Sequence, residues 1–207
     1  MRYHLLMCSE TAKVRSKDTT SATDPAPDPA ETAPRALVPH PATPSDAVRG
    51  VTVHIARSAQ GVLTLRYAVQ AEHDALRLPP ESAPQRVDGL WRHTCFEVFV
   101  REGTGASYLE FNFSPSRSWA AYRFSGYRDG VTRIEDQRAP AIELQRATHG
   151  LVLQASLVLP EAQRRGAQQA GLAAVLEECS GRISYWALAH PAGKPDFHHP
   201  TGFGLEI

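Results

Sequence analysis

The chain has 207 residues, 42% of them apolar and 21% charged, with 22 basic and 22 acidic side chains. A formal net charge of zero supplies no basic field, which argues against nucleic acid or a membrane surface as partner. Cys8, Cys95 and Cys179 are odd in number and form no CxxC, so no disulfide framework is expected and a reducing, cytoplasmic setting is the simpler reading. Leu5-Leu6-Met7 is too short for the roughly 7–15 apolar residues of a signal peptide. No run reaches the roughly 18 apolar residues of a membrane span.

Residues 9–35 are rich in Ser, Thr, Pro, Ala and Asp and lack aromatic residues. Such a segment buries too little apolar surface to offset its ordering entropy. Order is expected to begin near Ala36, so 1–35 is read as a disordered tail and 36–207 as one ligand-binding domain. Within it, 48–57 alternates as a strand with Val51, Val53 and Ile55 on one side, and a turn ending at Gly61 leads into 62–69. Pro79, Pro80, Pro84 and Asp88-Gly89 mark a long loop. Strands are predicted at 91–101, 107–114, 119–124, 142–147, 151–157 and 183–189, with a last short one at 203–207. Helix formers and glycines mix in 161–179, which leaves helix and strand both open there. The reading is a short helical or loop stretch near 161–168, then a strand near 171–178 pairing with 183–189. Many short strands with regular turns imply an all-β sandwich.

Side chains two apart on a strand share a face. Thr94, Phe96, Val98 and Val100 form one face of the 91–101 strand; His93, Cys95, Glu97 and Phe99 form the other. Leu109, Phe111 and Phe113 are a core face, opposite Tyr108, Glu110 and Asn112. In the third strand Trp119, Ala121 and Arg123 lie opposite Tyr122 and Phe124. If the three strands are neighbours, one sheet face gathers Trp91, Glu97, Tyr108, Glu110, Asn112, Trp119 and Arg123. Carboxylates, an amide, a guanidinium and flat rings suit a polyhydroxylated ligand. The plainer reading of the same residues is a solvated sheet face.

The stretches Leu90-Trp91-Arg92-His93-Thr94-Cys95-Phe96-Glu97 and Tyr108-Leu109-Glu110-Phe111-Asn112-Phe113-Ser114-Pro115 resemble the DOMON-like superfamily. So do Trp119-Ala120-Ala121-Tyr122-Arg123-Phe124 and Tyr185-Trp186-Ala187-Leu188-Ala189-His190-Pro191. The likeness is to a bacterial group similar to family 9 carbohydrate-binding modules. It implies a β-sandwich of DOMON-like, immunoglobulin-like jelly-roll architecture with about ten strands. It also implies a non-catalytic module whose small-molecule partner is a saccharide or sugar-containing metabolite. In sugar-binding relatives a Trp and a Glu at this spacing contact the sugar, which falls on Trp91 and Glu97. A late ring completes the clamp, for which Trp186 is the candidate, although its place between Tyr185 and Ala187 in an apolar strand favours a core residue. Thr94 stands where an acidic residue is often seen.

Two rivals accompany this reading. Haem-binding relatives use Met with His or Lys. Met1 and Met7 lie in the tail, which leaves His93, His190, Lys194, His198 and His199 as alternative ligands, so no cofactor is expected but haem is the one to test. Glu97 and Glu110 could instead be a hydrolase's carboxylate pair. His93-x-Cys95 and His198-His199 match no full zinc set, so no metal is expected. The loop 190–200, dense in His and Pro, is read as the edge of a site or as a cover for the sandwich.

Overall fold

The computed structural model describes residues 33–72 and 74–207. The tail expected over 1–35 therefore falls outside the described residues up to residue 32, together with Cys8, Met1 and Met7. Arg35 already belongs to the first strand.

Thirteen strands form among the described residues: β1 (Arg35–Pro39), β2 (Val48–Arg57), β3 (Val62–Ala71), β4 (Gln85–Arg86), β5 (Cys95–Glu102), β6 (Tyr108–Phe113), β7 (Ser118–Phe124), β8 (Thr132–Arg133), β9 (Ala141–Ala147), β10 (Gly150–Val158), β11 (Gln168–Glu177), β12 (Ile183–Ala187) and β13 (Leu205–Glu206). One sheet runs β1-β2-β3-β10-β9 and the other β4-β7-β6-β5-β11-β12-β1, with β8 on β7 and β13 on β11. Pairing is antiparallel throughout except for β4 against β7. The expected all-β sandwich is thus the fold. No helix among the described residues is long and apolar enough to cross a membrane.

β1 belongs to both sheets. Arg35, Ala36 and Leu37 pair with β2, and Val38 and Pro39 pair with β12. The two sheets close over one apolar core. Val53, Ile55, Leu65, Tyr67 and Leu153 come from the first; Phe96, Val98, Phe111, Leu172 and Leu176 come from the second. Strict alternation puts these side chains inward, where each fully buried residue of this size contributes roughly 1.5–3 kcal/mol. Tyr67 carries the one hydroxyl in that set, and it donates to the backbone carbonyl oxygen of Glu97 at 2.7 Å.

Two expectations change. Trp91 is not in a strand: Leu90–Arg92 is a 3₁₀ turn, and β5 begins at Cys95. The open 161–179 segment contains one 3₁₀ turn, Glu161–Gln163, and then the ten-residue strand β11. β11 lies between β5 and β12 with almost every residue buried. Burial on both faces favours a continuous apolar run such as Gly171–Leu176 and outweighs the helix preference of its alanines.

Candidate functional site

The site is built on the outer face of the second sheet. β5 presents Cys95, Glu97 and Phe99 there; β6 presents Tyr108, Glu110 and Asn112. Glu97 pairs with Asn112 and Phe99 with Glu110, so the two glutamates are diagonal neighbours on adjacent strands. Glu110 pairs with Tyr122 and Tyr108 with Phe124, which brings β7 into the same face. On the other side Val175 of β11 pairs with Cys95, and Tyr185 of β12 pairs with Val175.

The C-terminal segment folds over one end of this face. Phe203 and Phe197 pack with Phe99, Tyr108 and Phe124 in a second apolar cluster. Gly171 makes that approach possible: a Cβ there would sit 3.1 Å from the Gly202 carbonyl oxygen and 3.5 Å from the Cβ of Phe99. Between this cover and the sheet lies a cleft of about 560 Å³. Glu97 and Glu110 are at its floor, with Trp91, Tyr122 and Tyr185 around them and Arg128, Lys194 and His198 from the loops.

Burial sets the chemistry of the floor. Glu97 is 3% exposed and Glu110 5%. Desolvation, reinforced by the Glu110 charge, pushes the Glu97 carboxyl well above its usual range, against a smaller pull from Arg128. Desolvation raises Glu110 to about 7, although the Asn112 amide and Arg128 oppose it. Asn112 Nδ2 donates to Glu110 Oε1 at 2.7 Å. Among the described residues, Glu97 Oε1 and Asn112 Oδ1 have no hydrogen-bond partner.

One polar chain links the loops to this floor. Arg128 has a left-handed backbone, φ 54°, and its N–H donates to the Tyr108 hydroxyl at 3.2 Å. That hydroxyl lies 2.8 Å from His198 Nδ1, so the phenol and the ring share one hydrogen bond. Burial, with Arg128 nearby, lowers His198 to about 4. The 3.8 Å approach of His198 Nε2 to Glu110 Oε2 is therefore a polar contact at neutral pH and not an ion pair. Asp196 accepts from Arg128 Nη2 at 2.7 Å and Nε at 3.1 Å, and from the Tyr127 hydroxyl. These bonds outweigh the desolvation of Asp196 and hold its carboxyl low. Tyr122 donates to Asp88 Oδ1 at 2.8 Å, and Asp88 also binds Arg133.

The structure brings Trp91, Glu97 and Glu110 to the cleft, with Tyr108 and Asn112 packed beneath them. It does not bring Trp119, Arg123 or Trp186. Phe113 pairs with Trp119, Phe111 with Ala121 and Leu109 with Arg123, so these side chains share the core face, opposite to the expected one. Trp119 is 6% exposed, with the Arg86 guanidinium 4.4 Å from its ring centroid, and Arg123 is exposed between Leu109 of β6 and Thr132 of β8. The 114–118 turn, held by the Ser114, Ser116 and Ser118 hydroxyls, fixes that register. Trp186 lies beside Ala174 and Phe96 in the core, with Nε1 on Ser184 Oγ at 3.0 Å. Its neighbour Tyr185 supplies the late ring.

Sequence reasoning missed Tyr122, Arg128 and Tyr185 as cleft residues. Tyr122 and Tyr185 are one position from the residues chosen, a parity that only the strand pairing decides. The 190–200 loop does edge the cleft, through Lys194, Phe197 and His198.

Three of the expected haem ligands lie away from the cleft. His93 is on Glu177 at 2.7 Å, His190 on the Val38 carbonyl at 2.9 Å, and His199 beside Thr201 at 2.9 Å. Among the described histidines only His198 lines the cleft, together with Lys194; its Nδ1 is on Tyr108 and its Nε2 nearest a buried carboxyl. With both His198 nitrogens so placed, Lys194 remains in the cleft without the histidine partner that His–Lys ligation of a haem needs. No group of three or more His, Cys, Asp or Glu able to hold a metal occurs among the described residues.

No protein-family model and no curated protein sequence matches the chain. Solved structures do. The chain is similar to a proposed carbohydrate-binding protein from Bacteroides uniformis, with 13% identity and a TM-score of 0.60 over 83% of this chain and 84% of that one. It is also similar to a family 9 carbohydrate-binding module from Caldicellulosiruptor kristjanssonii in complex with cellotriose, with 12% identity and a TM-score of 0.51 over 84% of this chain and 80% of that one. At such identities the likeness is one of fold: this is a carbohydrate-binding-module-like β-sandwich.

Proposed function

We propose that the protein is a non-catalytic saccharide-binding module whose ligand occupies the cleft over Glu97 and Glu110. The observation that carries this reading is the arrangement of the cleft. An exposed ring, Trp91, and two partly exposed ones, Tyr122 and Tyr185, surround two carboxyls with unspent hydrogen-bonding capacity. Rings cover the apolar faces of a sugar and carboxyls take its hydroxyls. The fold's similarity to a module that binds cellotriose supports the same reading. A DOMON-like affiliation, a cytoplasmic setting and the absence of turnover belong to this proposal.

Glu97 and Glu110 sit side by side on one sheet, which suits gripping one ligand edge better than flanking a bond from two sides. Titration of the purified chain with mono- and oligosaccharides, followed by calorimetry and by reducing-sugar release, tests the reading. Saturable heat with no new reducing ends is expected. Release of reducing ends that Glu97→Gln abolishes would make the protein a hydrolase. Silence across the sugars, with a saturable hemin titration, would turn the reading to haem.

A further inference from the structure

We infer that the sugar bound in this cleft carries a protonated amine, seated against Glu97 and Glu110. The inference rests on the saccharide reading above and specifies the ligand's class.

Once ionised, the floor offers acceptors and few donors; in its neutral form each carboxyl also keeps a hydroxyl. Glu97 Oε1 is buried and unpartnered among the described residues, and Glu110 Oε2 has only the 3.8 Å approach of His198 Nε2. One hydrogen of the Asn112 amide is already directed to Glu110 Oε1. A ligand that complements this inventory brings donors. A hydroxyl brings one hydrogen and an oxygen that itself needs a donor; an ammonium brings three hydrogens and no lone pair.

Charge points the same way. Two buried carboxyls need a cation if they are to ionise, and the described residues supply none that is free to do so. Arg128 is held on Asp196 through two nitrogens, and His198 is neutral. Lys194 is exposed at the rim, where water screens it. With no cation against them, burial keeps both glutamates reluctant to ionise. An ammonium placed there reverses that balance. Tyr122, Tyr185 and Trp91 complete the surround, and ring faces attract cations.

The test titrates the full chain, at one neutral pH, with D-glucosamine and D-galactosamine. Each is compared with its neutral parent, D-glucose or D-galactose, with N-acetyl-D-glucosamine, and with cyclohexylamine, an amine without hydroxyls. At least one amino sugar is expected to bind roughly tenfold or more tighter than its parent and than the N-acetyl sugar. Glu97→Gln is expected to erase that preference while the circular dichroism spectrum is retained; Glu110→Gln serves if the first variant does not fold. Neutral sugars binding as tightly as amino sugars would overturn the inference and leave the saccharide reading standing. Cyclohexylamine binding as tightly as the amino sugars would overturn the saccharide reading, and with it the inference as stated. Failure of every probe to bind would overturn both.

Discussion

Tyr67, in the core on β3, holds the backbone of Glu97 on β5 across the full thickness of the sandwich. The hydroxyl of a fully buried ring donates to the Glu97 carbonyl oxygen at 2.7 Å, so one sheet fixes the strand position from which the other presents its carboxyl to the cleft. Burial, together with the Glu97 and Cys95 charges, keeps that phenol protonated by raising its pKa well above the ordinary value.

Tyr67→Phe therefore keeps the ring and removes only the bond. The expected loss in urea denaturation is about 1–2 kcal/mol, the cost of a buried acceptor deprived of its donor. Ligand affinity is expected to fall with it, because the carbonyl and the carboxyl belong to one residue. An unchanged urea midpoint would remove the bond from the stability account.

Glu110 makes the fold less stable at neutral pH. Its folded value of about 7 lies above that of an unfolded glutamate, near 4.3. Between those values the folded chain holds a proton that the unfolded chain has released. Stability from this group is thus greatest below pH ~4 and declines as pH rises to about 7, by on the order of 3 kcal/mol. His198 acts in the opposite sense: with a folded value near 4, it contributes stability above pH ~6.5 that is lost as pH falls. Comparing Glu110→Gln with the parent at each pH leaves His198 in both chains. The variant's advantage is expected to grow from pH 4.5 to 7, and an advantage that stays flat with pH would contradict this.

The three tryptophans separate binding from folding. Trp91 is 50% exposed, while Trp119 and Trp186 are 6% and 4% exposed in the core. Trp91→Ala is expected to leave the melting temperature within a degree or two and to abolish both binding and the ligand-induced change in tryptophan fluorescence. Trp119→Ala and Trp186→Ala are each expected to cost about 3–5 kcal/mol. A Trp91 variant that binds normally would move the site off this ring.

Gly171→Ala tests the cover over the floor. Its methyl group would meet the Gly202 carbonyl at 3.1 Å and must push the C-terminal turn outward. A loss of about 1–3 kcal/mol is expected, with weaker binding through displaced Phe197 and His198, and faster proteolysis between residues 190 and 204. Equal proteolysis rates in the two chains would show that the turn accommodates the methyl.

What could be read in advance was whatever depends on one strand at a time. The alternation of β5 and β6 placed Thr94, Phe96 and Val98 on one side and Glu97, Glu110 and Asn112 on another, because period two is a property of a single extended chain. Facing across strands is a property of pairing. Nothing in Pro115-Ser116-Arg117 announces that Phe113 meets Trp119, so Trp119 and Arg123 were assigned to the polar face while Tyr122 occupied it. Trp186 and Tyr185 exchanged places for the same reason. Arg128 was illegible on other grounds: its importance comes from Asp196, 68 positions away along the chain.

The sharing of β1 between the sheets leaves the molecule with one seam. Taking away Arg35–Pro39 would uncover the Val51–Val53 edge of β2 and the Trp186–Ala187 edge of β12 together, each an open template for another chain. Five residues, Pro39 among them, thus cover two sites of strand addition at once. Loss of that strand would be expected to open both edges to pairing with other chains before a single residue of the cleft was touched.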